Sequence, residues 1–142
     1  MDATHRRFAS ECFNAAWDLL AKRDRTPEEV DEMIDLAHAS RWHWTQTKEC
    51  TPSNLAVGAW QLSRVYAVAG RQDDALHHGQ VSLRLCRDND LSAFHEGYAY
   101  EALARAASDP DRGRYLAIAH DLASRVEDEE SREALLADLA TV

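Results

Sequence analysis

The sequence predicts an all-α fold made of three antiparallel helix pairs and one closing helix. Three observations predict it. Apolar residues recur three and four positions apart over nearly the whole length, with no stretch that alternates at period two. The 142 residues include only 5 Gly and 3 Pro, and Ala, the best intrinsic helix former, is abundant. Finally, Ala59, Leu62, Ser63 and Tyr66, then Gly70, Ala75 and Ser82, are answered about 34 residues on by Ala93, Gly97 and Tyr100, the length of one two-helix repeat.

The elements follow in order. A first helix, about 4–22, carries Phe8, Cys12, Ala15, Ala16 and Leu19 on one stripe. Thr26, Pro27 and Glu29 form a cap, a proline at the first helical position and a capping box. They start a second helix, about 27–46, with Val30, Met33, Ile34 and Ala37 inward. Thr51-Pro52 starts a third, about 52–69, with the cleanest stripe: Leu55, Ala59, Leu62, Tyr66 and Ala69. Gly70 supplies its left-handed stop. A fourth, about 72–87, buries Ala75, Leu76, Gly79, Leu83 and Cys86, and a fifth, about 91–107, buries Ala93, Phe94, Gly97, Tyr100 and Ala104. Asp109-Pro110 repeats the cap-then-proline signal for a sixth, about 110–126, with Leu116, Ala119, Leu122, Ala123 and Val126. The acidic run Glu127 to Glu130 suits the N-terminus of a seventh, about 129–140, with Leu135, Leu136 and Leu139. One domain spans residues 1–142, in pairs at about 4–46, 52–87 and 91–126 plus the closing helix.

Between Ala59 and Ser82 the chain resembles a tetratricopeptide repeat. Ala59, Leu62, Ser63 and Tyr66 match the first helix of that motif, Gly70 its turn and Ala75 its second helix. Gly79 departs from it, standing where an aromatic is usual, and Arg87 replaces the closing proline. The copy from Ala93 matches at Gly97 and Tyr100 before extra residues near Ser108 to Gly113 shift its second helix. A fainter copy sits on Cys12, Ala15, Ala16 and Leu19, then Val30, Ile34 and Ala37. The chain is also similar to uncharacterised bacterial single-domain tetratricopeptide-like proteins. The resemblance implies an α-α superhelix whose first helices line a concave face. Its concave positions fall on Phe13, Trp17 and Leu20, on Val57, Trp60 and Arg64, and on Phe94, Tyr98 and Glu101.

Five of those side chains are aromatic, each with about 150–250 Å² to bury. An apolar groove of that kind marks an interface. The expectation is a protein-interaction module, a small adaptor or regulator. It would take an apolar peptide or helix, or a second copy of itself, on Phe13, Trp17, Trp60, Phe94 and Tyr98. Arg64 and Glu101 would orient the occupant from the edge. Against that stands a groove closed by the chain itself, with segment 43–52 or the seventh helix as filler. A homodimer is a natural alternative, since two-fold dimers are the commonest assemblies.

Composition excludes other classes. The net charge of -9 leaves no basic footprint for nucleic acid. No apolar run approaches the roughly 18–20 residues of a membrane span, and the charged start lacks a secretory leader, so the expected location is cytoplasmic. Cys12, Cys50 and Cys86 are odd in number and widely spaced, against a disulfide framework or a zinc site. No cofactor is expected, and no nucleophile elbow or phosphate loop is present, so the chain does not read as an enzyme. The alternative is a small-molecule or metal-binding sensor or enzyme built on Asp35, His38, His43 and Arg64. Asp35 and His38 share a face, but His43 points roughly 140° away from His38 on a continuous helix. His77 and His78 diverge by about 100°.

Overall fold

The computed structural model describes residues 2–142. Seven helices follow one another: α1 (Asp2–Leu20), α2 (Pro27–Thr45), α3 (Pro52–Val68), α4 (Gln72–Asp88), α5 (Ala93–Ala106), α6 (Asp111–Ala123) and α7 (Glu129–Leu139). No strand occurs among the described residues.

Local chemistry sets most of the boundaries. Thr26 Oγ1 accepts the Glu29 N–H at 3.1 Å, and Glu29 takes the Thr26 N–H at 3.0 Å, which closes the capping box of α2. Thr51 and Asn54 do the same for α3, at 3.1 and 2.9 Å. Ser92 caps α5 and Asp128 caps α7. Asp109 does not cap α6. The cap position falls on Pro110, and no side chain bonds the first turn. The helix starts one residue later than the cap-then-proline pattern implies, so the Asp109 carboxylate stands too far back.

Gly70, at φ +79°, ends α3 as expected. Its N–H meets Ala67 O at 3.1 Å and the Arg71 N–H meets Tyr66 O at 2.9 Å, a Schellman stop. Asp90, at φ +48°, ends α4 in the same way, with the Leu91 N–H on Cys86 O at 2.9 Å. A short polar side chain tolerates this backbone better than most, which is why no glycine marked the turn.

Consecutive helices pack antiparallel. Ser40 meets Ala9 and His43 meets His5 across α1 and α2. Ser63 meets Ala75 and Ser82 meets Ala56 across α3 and α4. Alternate helices lie side by side and run the same way. Trp17 touches Trp60, Trp60 touches Tyr98, and Tyr98 reaches Asp138, which links α1, α3, α5 and α7 in a row.

Small residues make the close packing possible. Ala9, Ala16, Ala59, Ala75, Ala99, Ala104 and Ala119 are completely buried. A Cβ on Gly97 would lie 2.6 Å from Leu135 Cδ2, so a larger residue would force that side chain to move. A Cβ on Gly79 would lie 3.0 Å from Leu103 Cδ2 of α5, which leaves little room for the aromatic of the repeat motif. The buried hydroxyls of Ser40, Ser63 and Ser82 each donate to a carbonyl of the neighbouring helix, at 2.7, 2.8 and 2.9 Å. Left unpaired, each would cost more than its burial returns. Two expected stripe residues face outward: Phe8 is 37% and Leu136 39% exposed. In α1 the inward line runs through Ala9 and Ala16, with Cys12 half-buried.

An aromatic cleft between alternate helices

Phe13 and Trp17 of α1, Val57 and Trp60 of α3, and Phe94 and Tyr98 of α5 line one cleft of about 300 Å³, floored by Ala56 and Ser82 and edged by His95. The five aromatics expected on a common face are therefore brought together. Their rings form a continuous chain: Phe13 to Trp17 at 6.4 Å, Trp17 to Trp60 at 5.3 Å, Trp60 to Tyr98 at 5.2 Å and Tyr98 to Phe94 at 5.1 Å between centroids. Edge-on and tilted contacts of this kind hold each ring in a fixed orientation. On α1 and α5 the two rings stand one turn apart, α3 contributes Trp60 alone, and the parallel run of the three helices brings them level.

Three polar side-chain groups of the lining are satisfied internally. Trp60 Nε1–H donates to Glu101 Oε1 at 2.7 Å. The Tyr98 hydroxyl donates to Asp138 Oδ2 at 2.6 Å, and burial together with that carboxylate keeps the phenol protonated well beyond its usual range. Ser82 donates to Ala56 O. The Trp17 indole N–H and the His95 ring have no hydrogen-bond partner among the described residues, and burial lowers the His95 pKa, so that imidazole is neutral. The surface on offer is thus largely apolar, with one indole N–H and one neutral imidazole.

Glu101 does not orient anything from the edge. It is fully buried. Arg105 Nε–H donates to its Oε2 at 2.7 Å while Trp60 holds Oε1. A carboxylate sealed from water keeps its charge only with such partners, so Glu101 is a structural anchor behind the aromatic wall. Arg64 approaches the same carboxylate more loosely, at 3.4 and 3.5 Å, and its guanidinium lies 5.7 Å from Trp17 and 5.6 Å from Trp60. Arg64 thus braces the back of the two indoles. Its Nε is buried without a partner, as is Gln61 Oε1 three residues before it. Gln61, wholly buried, uses its amide to hold Phe13 O at 2.9 Å and so fixes α1 against α3.

Neither expected filler enters the cleft. α7 packs on α5 and α6. The connection after α2 lies along the start of α1, where the Lys48 N–H meets Asp2 Oδ2 at 3.2 Å and Arg6 pairs with Glu49. Neither segment contributes to the lining.

The alternative constellation is dispersed. His38 Nε2 meets the Tyr66 hydroxyl at 2.8 Å, and His78 stacks on Tyr66 at 5.4 Å. Burial, then the adjacent His77, pushes His78 down to about 4, and burial also lowers His38. His43 pairs instead with His5, Nδ1 to Nδ1 at 2.8 Å, and Arg64 is with Glu101. Asp35, His38, His43 and Arg64 therefore do not form one site, and among the described residues no group of three His, Cys, Asp or Glu side chains is placed to hold a metal ion. Cys86 is buried and its thiol is pushed up to about 11, so it is not a nucleophile.

Sequence reasoning missed Arg105, His95 and Ser82. The i,i+4 spacing of Glu101 and Arg105 was a readable signal for the first. The other two enter only through the register between helices. No described helix is long and apolar enough to cross a membrane. No protein-family model, no curated protein and no solved structure matches the chain.

Proposed function

We propose that this protein is an interaction module that takes an apolar segment of a partner protein into the cleft between α1, α3 and α5. The observation that carries the reading is the cleft itself: five aromatic rings from three helices converge on a space that is mostly apolar. Exposed aromatic concavities of this kind anchor bulky side chains of peptides and helices. We further read the stack as tetratricopeptide-like. Support comes from antiparallel pairs in series, from the parallel run of alternate helices, and from Gly70 and Ala75 at their motif positions. A catalytic role has no comparable support, since the ionisable groups near the cleft are neutral, buried or paired.

The test is site-specific photo-crosslinking in an extract of the source cell. Benzoylphenylalanine at position 57 lies in the cleft. The same residue at position 113 lies on the exposed surface of α6, where nothing approaches within 4 Å. A discrete adduct from position 57, absent from position 113 and lost on Phe94→Ala, is the expected result. Phe94 makes no hydrogen bond through its side chain, so its truncation leaves the Glu101 network intact. Identical adducts from both positions, or persistence of the adduct in Phe94→Ala, would sink the proposal. Arg64→Glu is unsuitable for this purpose, because it sets a second carboxylate against buried Glu101 and tests stability instead.

A further inference from the structure

The aromatic cleft shares side chains with two further depressions. Phe13 and Val57 also line a second depression of about 240 Å³, walled by Ser10, Asn14, Asn54 and Trp44. Phe94 also lines a third, of about 440 Å³, whose charged walls are Arg125, Glu127 and Asp128. The three are neighbours through these common side chains, from the α1–α2–α3 side, past the aromatic rings, to the turn between α6 and α7. The two outer ones differ in chemistry. The first is neutral and polar. The last is lined by Glu127 and Asp128, the first two of four consecutive carboxylates. Asp128 is committed to the Ser131 N–H, and that hydrogen bond lowers its pKa. Glu127 is exposed, with no cation in ion-pair range among the described residues. The nearest guanidinium in sequence, Arg125, is tied to Asp121 Oδ2 at 2.7 Å. The chain as a whole carries -9, so the field reinforces the local charge.

We infer that the occupant is an extended segment with a bulky apolar centre and a basic end, Lys or Arg, that lies against Glu127 while the apolar side chains fill the ring-lined cleft. This rests on the reading of the cleft as a partner site and adds the chemistry of the partner. A basic flank is steered by the acidic surface and gains an unpaired carboxylate. An acidic flank meets repulsion at the same place, and a neutral one gains nothing.

Three blocked synthetic peptides with one Leu-Phe-Leu centre, flanked on both sides by Lys, Gln or Glu, test this on the full chain. Flanks on both sides make the outcome independent of binding direction. Binding is read from the Trp60 Nε1–H resonance, which sits in the cleft wall. The Lys peptide is expected to bind about tenfold more tightly than the Gln peptide, with the Glu peptide weakest. That advantage shrinks between about 50 and about 300 mM NaCl, as screening shortens the range of the charge. Glu127→Lys removes the advantage of the Lys peptide and leaves the Gln peptide unchanged. Equal binding of all three peptides, each moving the Trp60 resonance, overturns the basic-partner inference and leaves the apolar role of the cleft standing. If none of the three moves that resonance, both fall.

Discussion

Glu101 shows how one side chain supports a site it does not enter. Its two oxygens hold the Trp60 indole and Arg105 behind the cleft, so the ring wall depends on a charge sealed from water. Glu101→Ala leaves Arg105, Arg64 and the indole N–H without their acceptor and is expected to cost about 3–5 kcal/mol in urea unfolding. Arg64→Gln, whose contacts are longer than 3.3 Å, is expected to cost clearly less. Equal costs would mean that Arg64, not Arg105, is the principal partner. His78 gives a second residue-level outcome. Its folded pKa of about 4 lies below the reference of 6.5, so the unfolded chain takes up the proton first as pH falls. Its contribution to stability is complete above 6.5 and is lost as pH drops towards 4, and His38 and His95 act in the same direction. The urea midpoint should therefore fall from about pH 7 to about pH 5, and His78→Gln should flatten that slope. A slope unchanged in the variant would assign the effect to other groups.

At the scale of elements, what the sequence shows clearly is what the chain decides locally. The caps at Thr26 and Thr51, the stop at Gly70 and the absence of an interior proline all act within one turn, and the helices begin and end within a few residues of expectation. Thr51→Ala should cost about 1 kcal/mol, the usual loss of a cap bond. Asp109→Ala, at a position that looks equivalent in sequence, should change stability by less than about 0.5 kcal/mol. A large effect there would restore the capping role that the geometry denies. What the sequence hides is the register between helices. The burial of Glu101 and the outward turn of Phe8 and Leu136 depend on how α1, α5 and α7 rotate against their neighbours, and a helical stripe of about 100° is too wide to resolve that. Gly97 is intermediate: small on a repeat position in sequence, and in space the position where an added Cβ would press on Leu135. Gly97→Ala should cost about 1–3 kcal/mol through overpacking, read as a lower thermal midpoint. No loss would imply that α7 can shift to make room.

The molecule as a whole is a series of helices, and most contacts are between helices consecutive in the chain. The aromatic positions were legible because α1 and α5 each carry a pair one turn apart and α3 carries Trp60 at the matching repeat position. Their convergence was not, since it requires three parallel helices to bring those turns level. The outer ends of such a series open first, because each terminal helix has company on one side only. The cleft and its two neighbouring depressions cut across this arrangement: their walls draw on α1, α3, α5 and the turn before α7. Anything seated along them acts as a cross-brace between ends that otherwise fray independently. Amide exchange in α1 and α7 should slow together when they are filled, by a similar factor, although the two helices never touch. The protein would then signal occupancy through the stiffness of its extremities, with no change in the shape of its middle.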